Sequence, residues 1–361
     1  MPYPADFGGV VDIFYKIKWL HKVEVKIHLH CFIKNRPEQT ELDKYCETVT
    51  YYQRKGILSF SLIIPYIVSS RSSKKLLQNL LKDNHAILFE GVHSTYHVSK
   101  NAFANRQLFL RLFNVEHVYY EYLAKNESRF LKKLYFKQEA KYLKKYENNI
   151  TNKVEIFTLS TQDSTMYQQL FDAKSIRFLP AFLPYDYLES EVGKGSYCLY
   201  HANLSINENE KAAIWLIEDV FNSLAIPLII AGRNPSEKLK DVAKNYNHIS
   251  IVDSPTDENM HLLIVNAQIN ILPSFNNTGV KLKLLNALYN GRHCLVNLAG
   301  VDGSGLNELC NIAETAEDFI KEILFLFDKT FAETAMQRRS TALKKLYNNE
   351  VNALFIRDAI H

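Results

Sequence analysis

Short apolar runs and amphipathic segments alternate along the second half of the chain. The runs predict strands, and the segments predict helices with one apolar face. The predicted strands are Tyr197–Tyr200, Pro227–Ala231, His248–Val252, Gln268–Leu272 and His293–Asn297, and the predicted helices are Asn207–Leu224, Pro235–Asn245, Thr256–Asn266 and Val280–Asn290. This alternation predicts a parallel sheet covered by helices on both faces. Such sheets bind ligands beyond the carboxyl ends of their strands.

The first half alternates less regularly, and a segment rich in proline and glycine separates it from the second. The predicted strands are Lys26–Phe32, Thr48–Tyr52, Ala86–Glu90, Gln107–Arg111, Glu155–Leu159 and Ile176–Leu179, with helices over Val10–His21 and Tyr119–Tyr146 and a linker over Pro180–Gly195. We therefore predict an α/β protein of two doubly wound, Rossmann-like domains that face each other across a cleft. The predicted domains are residues 1–183 and 184–329. Residues 330–361 should form helices that could pack back on the first domain.

Composition narrows the class of protein. The chain has 361 residues, 47% of them hydrophobic and 23% charged, which suits two globular domains. The net charge of +4 is small, so we expect no nucleic-acid partner. The five cysteines are scattered without a C-x-x-C pair, which fits a reducing compartment and argues against a zinc site. No apolar run is long enough to span a bilayer. We expect a cytoplasmic protein, with peripheral membrane contact left open.

The segment Leu272–Gly291 carries the strongest signal for a binding site. A strand ends near Pro273, a polar loop follows, and a helix begins near Val280 with Lys281 and Lys283 in its first turn. The N-terminus of a helix favours an anion, whereas lysines there oppose the helix dipole. A bound phosphate would remove that conflict. Alternatively, the two lysines are simply solvated.

This segment resembles the donor-site motif of group 1 glycosyltransferases, the retaining, family 4-like enzymes of GT-B type. Their subgroup motif is G-x-K/R-x-K followed by E-A-M-A-x-G. The residues that fit it are Gly279, Lys281, Lys283, Ala287 and Gly291. Other segments resemble the family in the same order along the chain, namely Phe7–Val10, Thr158–Asp163, Leu199–Asn209 and Pro227–Pro235.

The resemblance implies transfer of a sugar from a nucleotide diphosphate donor to a glycan or lipid-linked acceptor, with retention of configuration and without a cofactor. Lys283 and His93 would be catalytic, the first stabilising the leaving diphosphate and the second orienting the sugar. The implied donor-binding residues are Gly8, Gly9, Arg233, Gly279, Lys281, Lys283 and Asn286. No D-x-D occurs in the chain. A metal-independent enzyme is therefore expected, with lysines and a helix end binding the diphosphate.

The chain also departs from the family pattern. Asn286 stands where the family has a glutamate, and Phe275–Gly279 lacks an earlier one. The family's arginine and lysine in the first donor-domain loop fall on Asn203 and Glu208. A non-catalytic nucleotide-sugar-binding protein on the same fold is therefore one alternative. A GT-B epimerase or phosphorylase is another.

Candidate residues in the first half have structural alternatives. Gly8 and Gly9 would let backbone approach a phosphate, or would form an ordinary turn. His93, just past a predicted strand, could bind a sugar hydroxyl or serve a structural role. Arg111, Asn114 and Glu116, with the neighbouring His117, could contact the acceptor. For the cluster from Arg111 to His117, we favour the alternative that its side chains form a capping and salt-bridge network.

Two further patterns have ordinary explanations that we favour. The predicted long helix carries basic residues every fourth position, at Arg129, Lys133, Lys137 and Lys141. They indicate a solvated helix face, with attraction to anionic lipid heads as the alternative. The pair His28 and His30, beside Cys31, indicates a buried strand rather than a metal site.

The start of the chain differs from the resembling family. There, a buried apolar strand comes immediately before the glycine loop, whereas here Met1 is followed at once by Pro2–Gly9. We expect this first strand to be missing. Either the chain begins at an internal methionine, or the first domain is rearranged to fill the position.

Overall fold

The computed structural model describes residues 1–5, 8–34, 36–56, 61, 63–103, 105–276 and 279–360. The chain divides into two compact units. Unit 1 contains Met1–Pro184 and Tyr347–His361, and unit 2 contains Tyr185–Leu346. The C-terminal tail is therefore shared between the two units. None of the described helices is both long enough and apolar enough to cross a membrane.

Unit 2 is a doubly wound α/β domain with one parallel sheet. Its strands are β7 (Cys198–His201), β8 (Leu228–Gly232), β9 (Ile249–Asp253), β10 (Ile269–Ile271), β11 (His293–Val296) and β12 (Asn311–Ile312). Its helices are α8 (Asn207–Trp215), α9 (Glu237–Ala243), α10 (Asp257–Asn266), α11 (Leu282–Asn290), α12 (Leu298–Val301), α13 (Ala316–Asp328) and α14 (Glu333–Leu346). The strands lie in the order β12-β11-β10-β7-β8-β9. This is the Rossmann order, and it reverses between β7 and β10.

The sheet of unit 2 is covered on both faces, as its apolar strands require. One face packs with α8 and α13 through residues such as Ile230, Ala213 and Ile323. The other face packs with α10 through Leu199 and Ile264. Because neighbouring residues of a strand point to opposite faces, a strand buried on both sides is apolar throughout.

Unit 1 is also α/β, and its strands form two separate parallel sheets. The strands are β1 (His28–Ile33), β2 (Thr48–Gln53), β3 (Ile87–Glu90), β4 (Leu108–Leu112), β5 (Glu155–Thr158) and β6 (Ile176–Phe178). The helices are α1 (Gly8–Lys22), α2 (Tyr66–Ser69), α3 (Lys74–Leu80), α4 (Tyr96–Ser99), α5 (Glu116–Asn126), α6 (Phe130–Ile150), α7 (Thr161–Phe171) and α15 (Asn349–Ile360). β1 pairs with β2, and the other sheet has the order β3-β4-β5-β6. Within the residues that the structure describes, no strand precedes α1.

The larger sheet of unit 1 also has a core on each face. One core contains Leu110 and Ile156 of the sheet and Leu143 of α6. The other core contains Phe109 and Phe157 of the sheet and Ile356 of α15. The side chain of Asn349 also binds both the backbone N–H and the carbonyl of Leu183, at 3.0 and 2.9 Å. The last helix is therefore an integral part of unit 1.

A buried ionic network joins α1 to the larger sheet. Asp12 accepts hydrogen bonds from Nη2 of Arg111 at 3.0 Å, from Nζ of Lys16 at 3.1 Å and from the backbone N–H of Phe182 at 2.8 Å. Lys16 also pairs with Glu90 at 2.9 Å. Burial alone would raise the pKa of Asp12, but the charges of Arg111 and Lys16 lower this pKa to about 2.

Some elements differ from those that the sequence predicts. The long helix expected over Tyr119–Tyr146 is two helices, α5 and α6. Between them Glu127 accepts a hydrogen bond from the backbone N–H of Arg129 at 3.0 Å and pairs with Lys132 at 2.8 Å. A side chain that binds a nearby backbone N–H in this way competes with helical hydrogen bonding. No glycine or proline marks the break.

Candidate functional site

The candidate donor site lies at the carboxyl edge of the sheet in unit 2, where the strand order reverses. β7 ends at His201, and β10 leads through the loop after Ile271 into α11. Open α/β sheets bind ligands at this topological switch point. Gly279 has a left-handed backbone, with φ of 66°, and allows the loop to turn into the helix. Asn277 and Thr278 of this loop lie outside the described residues.

Lys283 occupies the first turn of α11 and is only partly exposed. Its Nζ lies 3.5 Å from the carbonyl oxygen of Pro273, which is a long contact, and 5.1 Å from the ring centroid of Tyr200. Burial, together with the charge of Lys281, lowers the pKa of Lys283 to about 8, and Glu208 opposes this shift. A cation that is poorly solvated and held at the positive end of a helix dipole is suited to binding an anion.

Lys281 precedes α11 as its N-cap residue, and its side chain makes no capping hydrogen bond. Its Nζ donates to the carbonyl oxygen of Gly279 at 3.1 Å. This contact ties the side chain to the loop. The structure therefore places both predicted lysines and Gly279 at one helix end.

His201 is absent from the residues predicted from the sequence, although it lies in this site. It is the last residue of β7 and is buried, and among the described residues its Nε2 atom has no hydrogen-bond partner. Burial, followed by the charge of Lys283, lowers the pKa of His201 to about 3. The ring is therefore neutral near pH 7 and can donate one hydrogen bond. The sequence feature that could have identified His201 is a polar residue at the end of the otherwise apolar strand Cys198–His201.

Two other predicted donor residues, Asn286 and Arg233, lie on elements that adjoin Lys283 and His201. Asn286 is partly exposed on α11, one turn after Lys283, and its Oδ1 accepts a hydrogen bond from Nδ2 of Asn290 at 2.7 Å. Arg233 follows β8, the strand beside β7, and is exposed. A Cβ added to Gly232 would lie 1.8 Å from the carbonyl oxygen of Ala202. Only glycine fits there, because the loops after β7 and β8 approach so closely.

In unit 1, Gly8 and Gly9 begin α1 rather than a separate loop. A Cβ added to Gly9 would lie at ordinary contact distance, 3.6 Å, from the Phe113 ring, and one added to Gly8 would contact nothing within 4 Å. Sterics alone therefore do not explain the glycine pair. Phe7, which belongs to the same predicted loop, lies outside the described residues.

His93 lies in the short turn that follows β3. Burial, with the charges of Arg71 and Arg54, holds the pKa of His93 well below its usual range. Gly91, with φ of 79°, brings the chain back so that a Cβ there would be 2.6 Å from the His93 ring. A neutral imidazole beside two guanidinium groups could donate or accept a hydrogen bond, but it would not act as a cation near pH 7.

Glu116 is the first residue of α5, after β4, and lies near Arg71. Burial, with the charge of Glu147, raises the pKa of Glu116 to about 8, and Arg71 opposes this shift. Arg71 thus acts electrostatically on both His93 and Glu116. It is not among the residues predicted from the sequence, because nothing local distinguishes it from a surface arginine.

The remaining acceptor-side candidates differ in exposure and in their hydrogen-bond partners. Asn114 is partly exposed after β4. Arg111 is fully buried and binds Asp12, and it also donates to the carbonyl oxygen of Pro180 at 2.9 Å. These contacts place Arg111 in the buried ionic network with Asp12, as the salt-bridge alternative favoured from the sequence expects. We therefore do not propose Arg111 as an acceptor contact. His117 likewise donates from its backbone to Glu147 at 3.1 Å.

Comparisons with known proteins bear on the fold. No protein-family model matches the chain. A curated protein of Klebsiella pneumoniae, described as an uncharacterized 44.6 kDa protein in the cps region, is 29% identical over 350 residues, covering 90% of this chain and 88% of that protein.

Solved structures of glycosyltransferases share the fold at low identity. A glycosyltransferase from Rickettsia africae has a TM-score of 0.67 and 11% identity, covering 98% of this chain and 94% of its own. HepE of Anabaena, solved with UDP and glucose, has a TM-score of 0.63 and 10% identity, covering 97% of this chain and 95% of HepE. TarM has a TM-score of 0.60 and 14% identity, and the match covers 79% of this chain. This chain spans only 57% of the length of TarM. The chain therefore has the GT-B fold of glycosyltransferases, with two Rossmann-like domains.

Proposed function

We propose that the protein is a glycosyltransferase that moves a sugar from a nucleotide diphosphate donor to a glycan or lipid-linked acceptor. The observation that carries this proposal is the placement of Lys283 and His201 at the switch point of unit 2. Both side chains are largely desolvated. Among the described residues, Nζ of Lys283 has a long contact with the carbonyl oxygen of Pro273 and lies over the Tyr200 ring, and Nε2 of His201 has no hydrogen-bond partner. Groups in that state cost free energy unless a ligand binds them. A diphosphate supplies the negative oxygens that both would bind.

The proposed reaction needs no cofactor and no metal ion. The bond between the sugar C1 atom and the diphosphate oxygen breaks, and its electron pair stays on the diphosphate. The acceptor hydroxyl oxygen bonds to C1 from the same face, and its proton passes to the leaving oxygen, so configuration is retained. Lys283 and Lys281 stabilise the charge that develops on the diphosphate.

Other residues take supporting roles in this proposal. Asn286 binds the donor ribose through its amide. His93 binds a hydroxyl of the transferred sugar as a neutral imidazole. The remaining proposed contacts are Gly8, Gly9, Gly279 and Arg233 on the donor diphosphate, and Asn114 and Glu116 on the acceptor.

The proposal is tested first by a thermal-shift screen of nucleotide sugars and then by turnover with glycan and lipid extracts. Binding should raise the melting temperature in proportion to the logarithm of ligand concentration over Kd. Release of nucleoside diphosphate with transfer of the sugar would support an enzyme. Binding without any transfer would support the non-catalytic alternative, which the missing glutamates favour. No shift with any nucleotide sugar would contradict both.

Replacing His201 with leucine should separate binding from stability. The substitution removes a buried ring nitrogen that has no partner among the described residues, so the melting temperature of the free protein should not fall. Nucleoside diphosphate affinity should fall about tenfold or more, the scale of one hydrogen bond to a charged group. Calorimetry and thermal unfolding measure the two effects. Unchanged affinity would remove His201 from the site, and His201→Gln, which retains an N–H donor, should keep part of the affinity.

Replacing His93 with alanine should lower turnover about tenfold, the scale of one hydrogen bond to the reacting sugar. Nucleoside diphosphate affinity should stay nearly unchanged, since His93 is assigned to the sugar. Steady-state kinetics and calorimetry check this, with the exposed His85→Ala of unit 1 as the matched control. Normal turnover in a folded His93→Ala protein would leave His93 a structural role.

Treatment with EDTA should leave the transfer rate largely intact. Lysines and a helix end can bind the diphosphate without a divalent ion. The measurement is the initial rate before and after chelation, with magnesium and manganese added back. Activity that disappears on chelation and returns with either ion would overturn the metal-independent mechanism.

A further inference from the structure

The first turns of α6 expose apolar side chains that the fold does not use. Phe130, Leu131 and Leu134 are 71%, 80% and 46% exposed, whereas Leu143 and Ile150 at the other end of the helix are fully buried. We name Phe130, Leu131 and Leu134 the α6 tip. Isolated apolar residues are common on surfaces, but a cluster within two helical turns marks an interaction surface.

A basic groove of about 630 Å³ lies beside the α6 tip, between α5 and α6. Four lysines line it, one from α5 and three from α6, together with the acidic Glu121. These lysines, which we name the groove lysines, are Lys125, Lys133, Lys137 and Lys141. Those on α6 recur every fourth residue, where like charges repel each other. The groove thus concentrates positive charge that an anionic partner would stabilise.

Not every nearby cation is available to a partner. Lys132 pairs with Glu127 at 2.8 Å, and its Nζ lies 5.3 Å from the ring centroid of Phe136. We therefore assign the electrostatic part of the interaction to the groove lysines rather than to Lys132.

We propose that the α6 tip and the groove lysines dock on the anionic lipid head groups of a membrane surface. A bilayer interface offers both chemistries together, with lipid phosphates for the lysines and an acyl boundary for the phenyl and leucyl side chains. A second copy of this chain fits less well, because its own groove lysines would meet the same positive charge. A nucleic acid would leave the α6 tip in water. This docking does not depend on the proposed transfer reaction, but it would bring the protein to a lipid-linked acceptor.

The test is co-sedimentation of the full chain with vesicles. Phosphatidylcholine vesicles containing an equal share of phosphatidylglycerol should pellet the protein, and pure phosphatidylcholine should not. Lys137→Glu with Lys141→Glu should weaken binding about 600-fold, since each basic residue near an anionic surface is worth roughly fivefold and charge reversal doubles the free-energy loss at each of the two positions. High salt should weaken the parent protein in the same direction.

Two further variants make the outcome specific. Lys74→Glu with Lys75→Glu changes the net charge equally at exposed lysines of α3 and should keep most of the binding. Leu131→Ser should weaken binding while leaving the melting temperature unchanged, because the side chain is exposed. Equal pelleting by both vesicle types, pelleting by neither, or equal loss in the α3 and groove variants would each overturn the proposal.

Discussion

Replacing Lys283 with alanine should weaken nucleoside diphosphate binding about 10- to 150-fold, the equivalent of roughly 1.5–3 kcal/mol for a charge-assisted hydrogen bond. The effect should exceed that of Lys281→Ala. Lys283 is desolvated, since burial lowers its pKa to about 8. The Nζ of Lys281 already donates to the carbonyl oxygen of Gly279 at 3.1 Å. Calorimetric titration of each variant with a nucleoside diphosphate makes the comparison.

The same site predicts a pH dependence of binding. In the free protein Lys283 loses its proton as the pH rises through about 8. Because the diphosphate binds the charged form, affinity should fall with pH above that value. The fall should persist in Lys281→Ala and disappear in Lys283→Ala. Unchanged affinity in both variants would contradict the proposed donor site, as would an affinity that is flat with pH in the parent protein.

Replacing Arg111 with leucine should lower the free energy of unfolding of unit 1 by about 3–5 kcal/mol. The change leaves the carboxylate of Asp12 buried with one cationic partner fewer, and breaking a buried ion pair typically costs this much. Chemical denaturation measures the loss. Arg357→Leu is a matched control in the same unit, because its pair with Asp358 is 40% and 67% exposed and should be worth at most about 1 kcal/mol.

The pKa of Asp12 gives this network a pH window. Its folded pKa of about 2 lies below the usual value of 3.8. The stabilisation is therefore fully present above pH 3.8 and is lost as the pH falls towards 2. The Arg111→Leu protein should lose part of this acid dependence. A variant that unfolds like the parent but fails in transfer would return Arg111 to the acceptor side.

The spacing of apolar residues was sufficient to predict the strands of both units except β12, the two-residue strand Asn311–Ile312. The predicted His248–Val252 is β9, Ile249–Asp253, and the predicted Gln107–Arg111 is β4, Leu108–Leu112. A strand buried on both faces must be apolar along its length, and this requirement can be read locally. The same pattern misses breaks made by side chains. The division into α5 and α6 depends on hydrogen bonds of Glu127, which no periodicity reports.

The candidate site was predictable where the motif is local. Gly279, Lys281 and Lys283 come together because the same loop and helix carry them. The approach of Arg71 to His93 depends on two segments that fold against one sheet, and no local sequence pattern reports it. The C-terminal tail shows the same limit, since α14 joins unit 2 and α15 joins unit 1 although both have a helical pattern.

The sequence by itself thus determined most of the strands and several of the helices, since period and apolarity are properties of neighbouring residues. Only the tertiary structure decided the partners of the buried polar groups. Arg111 meets Asp12 across 99 positions of sequence, and this contact makes it part of the core rather than a binding residue. His201 closes β7 without a partner for Nε2 among the described residues, and only its surroundings show that it is a candidate ligand. The charge, hydration and pKa of a side chain depend on distances between distant elements, and a residue pattern does not encode those distances.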